Sequence, residues 1–195
     1  MAALAIGAAL MVVAATAGPA ASATSCLGEA EQVFLPWADP AAYTLAPGGD
    51  FEGVGTSWQL ASGAKRVRGN EPFMVHESTD TRSLSIPAGG SATSPAICVG
   101  LGDPTLRLFA IGGGAASELK VEVIYETALG TVTQPVGYVP ERDAWGPTLQ
   151  LPFLANATGL LSLDGLTASV LFRFTALGSV GWKIDDVYVD PWKVT

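Results

Sequence analysis

Apolar and polar residues alternate along this chain in short runs divided by turns rich in glycine and proline. The clearest run sets Leu119, Val121, Val123 and Tyr125 against Lys120, Glu122 and Glu126, and a second sets Val170, Phe172 and Phe174 against Arg173 and Thr175. A period of two places every other side chain on one face of a strand, so each segment has a dry face and a wetter one. Beyond residue 23 no stretch of 12 or more residues carries an apolar stripe at helical spacing. The pattern predicts strands at 50–52, 57–61, 73–77, 83–86, 93–99, 105–111, 119–126, 131–138, 148–153, 168–175 and 181–189. Ala46-Pro47-Gly48-Gly49, Pro87-Ala88-Gly89-Gly90, Gly112-Gly113-Gly114 and Leu129-Gly130 supply the turns between them. This is an all-β, single-domain β-sandwich pattern. The segment 137–147, with two prolines, two glycines, Arg142-Asp143 and Trp145, reads as a longer surface loop of the kind where binding residues concentrate.

The first residues follow a different rule. From Ala2 to Ala17 there is no charge, and Ala21-Ser22-Ala23 then supplies small residues before a cut after Ala23. This predicts a signal peptide over 1–23 and an exported protein, secreted or held at the cell envelope. The apolar run of about 16 residues ends at Gly18-Pro19, short of the roughly 20 needed to span a bilayer. Residues 24–47, with Pro36, Pro40 and Pro47, read as an extended lead-in, and 48–192 as the β-domain. Cys26 and Cys98 both survive cleavage, and an even pair in an oxidising compartment permits one connectivity. A Cys26–Cys98 disulfide would close a loop of about 70 residues and contribute about 2–4 kcal/mol.

Charge and composition then exclude several functions. Over 195 residues, 10 Lys+Arg face 18 Asp+Glu, for a net charge of −8. Such a chain lacks the basic footprint that a phosphate backbone requires, so nucleic acid is not an expected partner. The one histidine, His76, would have to serve any Ser-His-Asp or Cys-His site, and no G-x-S-x-G pattern accompanies it. One histidine does not build a histidine-based metal site, and two distant cysteines do not build a cysteine one. Carboxylates remain: Glu52, Glu77, Asp80, Glu141, Asp143, Asp164, Asp185 and Asp186 could in principle form the acid pair of a glycan hydrolase or lyase. They form no E-x-D-x-E strand signature and most read as solvated turn residues, so the expectation is a protein without catalytic activity.

One constellation joins the two ends of the domain. Gly48-Gly49-Asp50-Phe51-Glu52, followed by Ser57-Trp58, stands near the start, and Gly181-Trp182-Lys183-Ile184-Asp185-Asp186-Val187-Tyr188-Val189 near the end. Over roughly residues 48–190 this resembles the galactose-binding-like jelly roll found in carbohydrate-binding modules. The resemblance implies first and last strands side by side, with a structural calcium ion held by Glu52 and by Asp185 or Asp186. The residues add support, because Ile184 followed by Val187 and Val189 breaks the alternation at the Asp pair and predicts a bulge. It also implies a polysaccharide or cell-envelope glycan as partner, with a protein partner as the alternative. Sugar recognition needs flat rings beside polar groups. Of five tryptophans, Trp145 is the expected platform, with Tyr138, Arg142 and Asp143 around it, whereas Trp58 and Trp182 are expected to be buried.

Overall fold

The computed structural model describes residues 29–53, 57–100, 104–127, 130–155 and 167–190. The expected signal segment, Cys26 and Asp164 lie outside them. Among the described residues the strands are β1 (Thr44–Leu45), β2 (Gln59–Ala61), β3 (Lys65–Arg68), β4 (Arg82–Ile86), β5 (Ser91–Thr93), β6 (Ile97–Gly100), β7 (Thr105–Gly112), β8 (Glu118–Thr127), β9 (Gly130–Pro140), β10 (Arg142–Pro147), β11 (Leu151–Pro152), β12 (Thr167–Leu177) and β13 (Trp182–Asp190). One sheet runs β10-β7-β13-β4-β3, with β1 added on β13 and β11 on β7; the other runs β2-β5-β12-β8-β9, with β6 added on β12. The chain crosses repeatedly between two antiparallel sheets, the β-sandwich that the alternation predicted in the jelly-roll form that the resemblance implied.

The period-two runs build the core between the sheets. On β12 and β8 the partners Val170↔Tyr125, Phe172↔Val123, Phe174↔Val121 and Ala176↔Leu119 lie directly opposite one another, and all of these side chains are buried. Leu106, Leu108 and Ala110 of β7 and Trp182, Ile184, Val187 and Val189 of β13 meet them from the other sheet. Burying side chains of this size stabilises the fold by about 1.5–3 kcal/mol each before ordering entropy is set against it.

Four expected strands differ from the structure. Residues 50–52 form a turn in which Phe51 takes a left-handed φ of 55°, and the last strand pairs instead with Thr44–Leu45. Residues 73–77 lie in an irregular loop, because the Glu71 carboxylate accepts the backbone N–H groups of Phe73 and Val75 at 2.5 and 2.9 Å and curls the chain around itself. The run 148–153 shortens to β11. A fourth, 93–99, divides into β5 and β6 where the Ser94 hydroxyl takes the Phe172 N–H at 2.9 Å. Conversely, the expected surface loop 137–147 is strand, split between β9 and β10. Its prolines are tolerated because β9 and β10 are edge strands, where a missing N–H interrupts no ladder. The charged β3 carries no alternation to betray it.

The lead-in is built into the domain. Phe34 and Tyr43 pack with Phe109 and Tyr188 as a second aromatic cluster on the outer face of the β7-β13 sheet. Arg107 lies beneath it, its guanidinium 4.2 Å over the Phe34 ring. Its Nη1 is 2.6 Å from Asp39 Oδ2, and Nε and Nη2 donate to the Thr148 carbonyl at 3.0 and 2.7 Å. Asp39 also accepts from the Tyr43 hydroxyl and Gln150 Nε2, at 2.8 and 3.0 Å. Burial alone would raise its carboxyl, but these donors outweigh burial and hold it below the ordinary carboxylate value.

A buried pair broken on one side leaves an uncompensated charge. Arg107→Ala is therefore expected to cost about 3–5 kcal/mol in urea unfolding, and Asp39→Ala a comparable amount.

Candidate functional site

The site begins with a register change. On β13, Asp185 lies opposite Phe109 while Tyr188 lies opposite Arg107, so one extra residue is accommodated between them. This is the expected bulge, and Asp186 there takes a left-handed φ of 46°. Residues 46–49 clasp it: Ala46 N–H donates to the Val187 carbonyl at 2.8 Å and Val187 N–H to the Gly49 carbonyl at 3.1 Å. A Cβ on Gly49 would fall 2.8 Å from the Val187 carbonyl oxygen, which is why a side chain does not fit there.

The two bulge carboxylates, both wholly buried, differ in how they are satisfied. Asp185 Oδ2 accepts the Glu71 N–H and Oδ1 the Asp186 N–H, each at 3.0 Å. It anchors the 71–75 loop to the last strand. Neither oxygen of Asp186 has a hydrogen-bond partner among the described residues. Its neighbours are instead His76 and Asp80, and the ligand atoms of these three residues all lie within 4.8 Å of one another. His76 Nδ1 and Asp80 Oδ2 are 2.9 Å apart, at the end of a turn closed by Asp80 N–H on the Glu77 carbonyl.

Electrostatics follow from this crowding. Burial, then repulsion from Asp186, pushes the Asp185 carboxyl up to about 9. Burial, with Glu71, Asp80 and Asp50 adding to it against the opposing pull of His76, pushes Asp186 up to about 8. Burial would lower His76, but the hydrogen bond and field of Asp80, with Asp186 and Asp50, outweigh it and raise the imidazole. Beyond His76 the arrangement lacks positive charge: no lysine or arginine pairs with Asp185 or Asp186 among the described residues. A cation is what such a site can take.

Of the residues expected to hold calcium, Asp185 and Asp186 are at the bulge, and Glu52 reaches elsewhere. Glu52 Oε1 accepts the N–H groups of Thr81 and Arg82 at 2.6 and 2.5 Å. His76 and Asp80, which the sequence offered only as a lone histidine and a turn acid, complete the cluster. Their four-residue spacing is a weak signal, since nothing in it shows that β13 passes beside them.

The expected sugar-binding residues divide likewise. Tyr138 and Arg142 line a cavity of about 440 Å³ at the sandwich edge where β9 passes to β10, together with Glu141, Leu149, Gln150 and Leu151. The Tyr138 ring is half exposed. Arg142 Nη1 donates to the Pro147 carbonyl at 2.7 Å, which fixes its reach. Trp145 packs against the second aromatic cluster and does not line the cavity, and neither does Asp143. Trp58 and Trp182 are buried, as expected.

No family model matches the sequence, and no curated protein does. Solved structures with a similar arrangement include the xylan-binding family 22 carbohydrate-binding module of Paenibacillus barcinonensis, at 15% identity over 74% of this chain and 91% of that one, with a TM-score of 0.45. A family 61 module in complex with β-1,4-galactotriose is 9% identical over 72% of this chain and 90% of that one, with a TM-score of 0.39. A Clostridium thermocellum xylanase, its family 22 module and catalytic module complexed with xylohexaose, is 12% identical over 71% of this chain, with a TM-score of 0.47. This chain spans 26% of that xylanase and 20% of a similar bacteriophage tailspike protein.

The raised carboxyls set a sign for pH dependence. Folded Asp185 and Asp186 keep protons that the unfolded chain releases above its ordinary value of 3.8. Their contribution to stability is fully present below that value and is lost as pH rises through about 8 to 9. In chelator, the melting temperature is expected to fall between pH 5 and pH 9, and Asp186→Asn to flatten that slope and melt higher than the unsubstituted chain at pH 9.

Proposed function

We propose that this chain is an exported, non-catalytic β-sandwich module that binds polysaccharide at the β9–β10 edge and is steadied by a divalent cation at the β13 bulge. The observation that carries the binding reading is the edge cavity that the half-exposed Tyr138 lines. A flat apolar ring stacks on a pyranose face, while Glu141, Arg142 and Gln150 offer the acceptors and donors that hydroxyl groups need. Leu149 and Leu151 supply an apolar wall. For the cation, calcium is the ion that the jelly-roll resemblance implies, and the unpartnered Asp186 supports a bound ion of some kind. Export rests on the 1–23 pattern, and with it the Cys26–Cys98 bond.

A protein partner is favoured by a different surface. Leu35, Phe73 and Met74 are exposed, and Phe73 packs edge-on against Trp37 at 5.1 Å, which leaves an apolar aromatic patch beside the second cluster.

Affinity electrophoresis on xylan, galactan and β-glucan gels tests the two surfaces together. Tyr138→Ala is expected to weaken retention about tenfold, the loss of roughly one stacking contact, while Phe73→Ser leaves it unchanged. Retention on none of these gels would shift the reading to the protein partner. Intact mass of the exported protein is expected to begin at Thr24 and to be lighter by two hydrogens than the reduced chain.

A further inference from the structure

Resting on the cation reading above, we propose that the ion at the β13 bulge is zinc rather than calcium, held by His76, Asp80 and Asp186. Calcium takes six to eight oxygen ligands, so its cages draw on several carboxylates and carbonyls at once. Here the nearby carboxylates are already committed to backbone amides. Asp185 serves Glu71 and Asp186, Glu71 serves Phe73 and Val75, and Glu52 serves Thr81 and Arg82. Recruiting them would make those oxygens serve the ion and the amides that shape the 71–82 segment at once.

The donors not committed to backbone amides are one imidazole and two carboxylates, with ligand atoms all mutually within 4.8 Å. Three protein ligands with room for water is a zinc arrangement, and imidazole nitrogen suits zinc but not calcium. Asp186 gives independent support: a wholly buried carboxylate with two unpartnered oxygens, facing the other two donors from a left-handed bulge position. His76 Nδ1 and Asp80 Oδ2 are already 2.9 Å apart, so the ion would replace the proton they share, which is released to solvent, with little movement of either side chain.

The site also has an entrance. His76, with its side chain 31% exposed, stands at the rim of a cavity of about 400 Å³ that Glu29, Glu31 and Glu77 also line. Acidic walls concentrate cations at the mouth. Once bound, the ion would fasten the 76–80 turn to the last strand, joining segments that no strand pairing connects.

The test is a titration of the chelator-stripped, tag-free chain with zinc, calcium and manganese chlorides separately, followed by melting temperature and by calorimetry. The expected result is one zinc per chain, a higher melting temperature with zinc than with either other ion, and a loss of about tenfold or more in zinc affinity in His76→Ala. Because His76 is at the rim, that variant is expected to fold normally in chelator; Asp186→Asn is the second probe, expected to abolish zinc binding. If calcium raises the melting temperature and zinc does not, or if His76→Ala binds zinc as the unsubstituted chain does, zinc coordination by these residues is overturned while a cation at the bulge survives. If none of the three ions binds, both readings fall.

Discussion

The extra residue in β13 is the constraint around which this molecule is arranged. Strict alternation from Trp182 and Ile184 would carry Asp186 and Tyr188 into the core. The bulge shifts the register by one, so Val187 and Val189 enter the core while Tyr188 joins the outer aromatic cluster. The cost is that two carboxylates are buried side by side, an arrangement that stays uncharged or takes a counter-charge. Asp185 is offset by two backbone N–H groups, and Asp186 by none. The polar chemistry of this face follows from that imbalance.

The same sheet face would be wet in an ordinary two-layer sandwich. Here residues 29–45 lie over it, and they need Arg107 to do so. Its guanidinium reaches Asp39 in the covering segment, Thr148 after β10 and the Phe34 ring at once. Gln150, which lines the edge cavity, is tied to the same network through Asp39 and Tyr43. Tyr43 in turn lines the acidic cavity beside His76. One buried network thus supports a wall of each cavity, which is a physical reason for both to be shaped by packing rather than by loose loops.

The two cavities differ in chemistry. The edge cavity offers an aromatic ring, apolar side chains and a few polar groups, the ingredients for a neutral hydroxylated ligand. The other is walled by carboxylates and opens on an imidazole, the ingredients for a cation. A stabilising ion and a ligand therefore need not compete for the same groups, and mutations at one are expected to leave the chemistry of the other intact where no member of the Asp39 network is touched.

The sequence by itself determined the two-sheet class, the long strands and the bulge. A period of two, sustained through Leu119–Tyr125 and Val170–Phe174, is a local property that any sandwich must satisfy, and a break in it at Asp185-Asp186 is equally local. It did not determine the 71–80 loop, where Phe73 to Glu77 looks like a strand until Glu71 turns its carboxylate on the backbone. Nor did it show that Arg142–Pro147 is a strand, since proline and glycine mark a loop unless the segment lies at an edge. Only the tertiary structure brought His76 and Asp80 to Asp186, held there by a hydrogen bond between Glu71 and Asp185 that spans 114 residues. It also turned Trp145 inward and left Tyr138 at the rim. Local patterning states which face a strand side chain occupies; convergence of irregular loops depends on distant backbone partners, which no periodicity encodes.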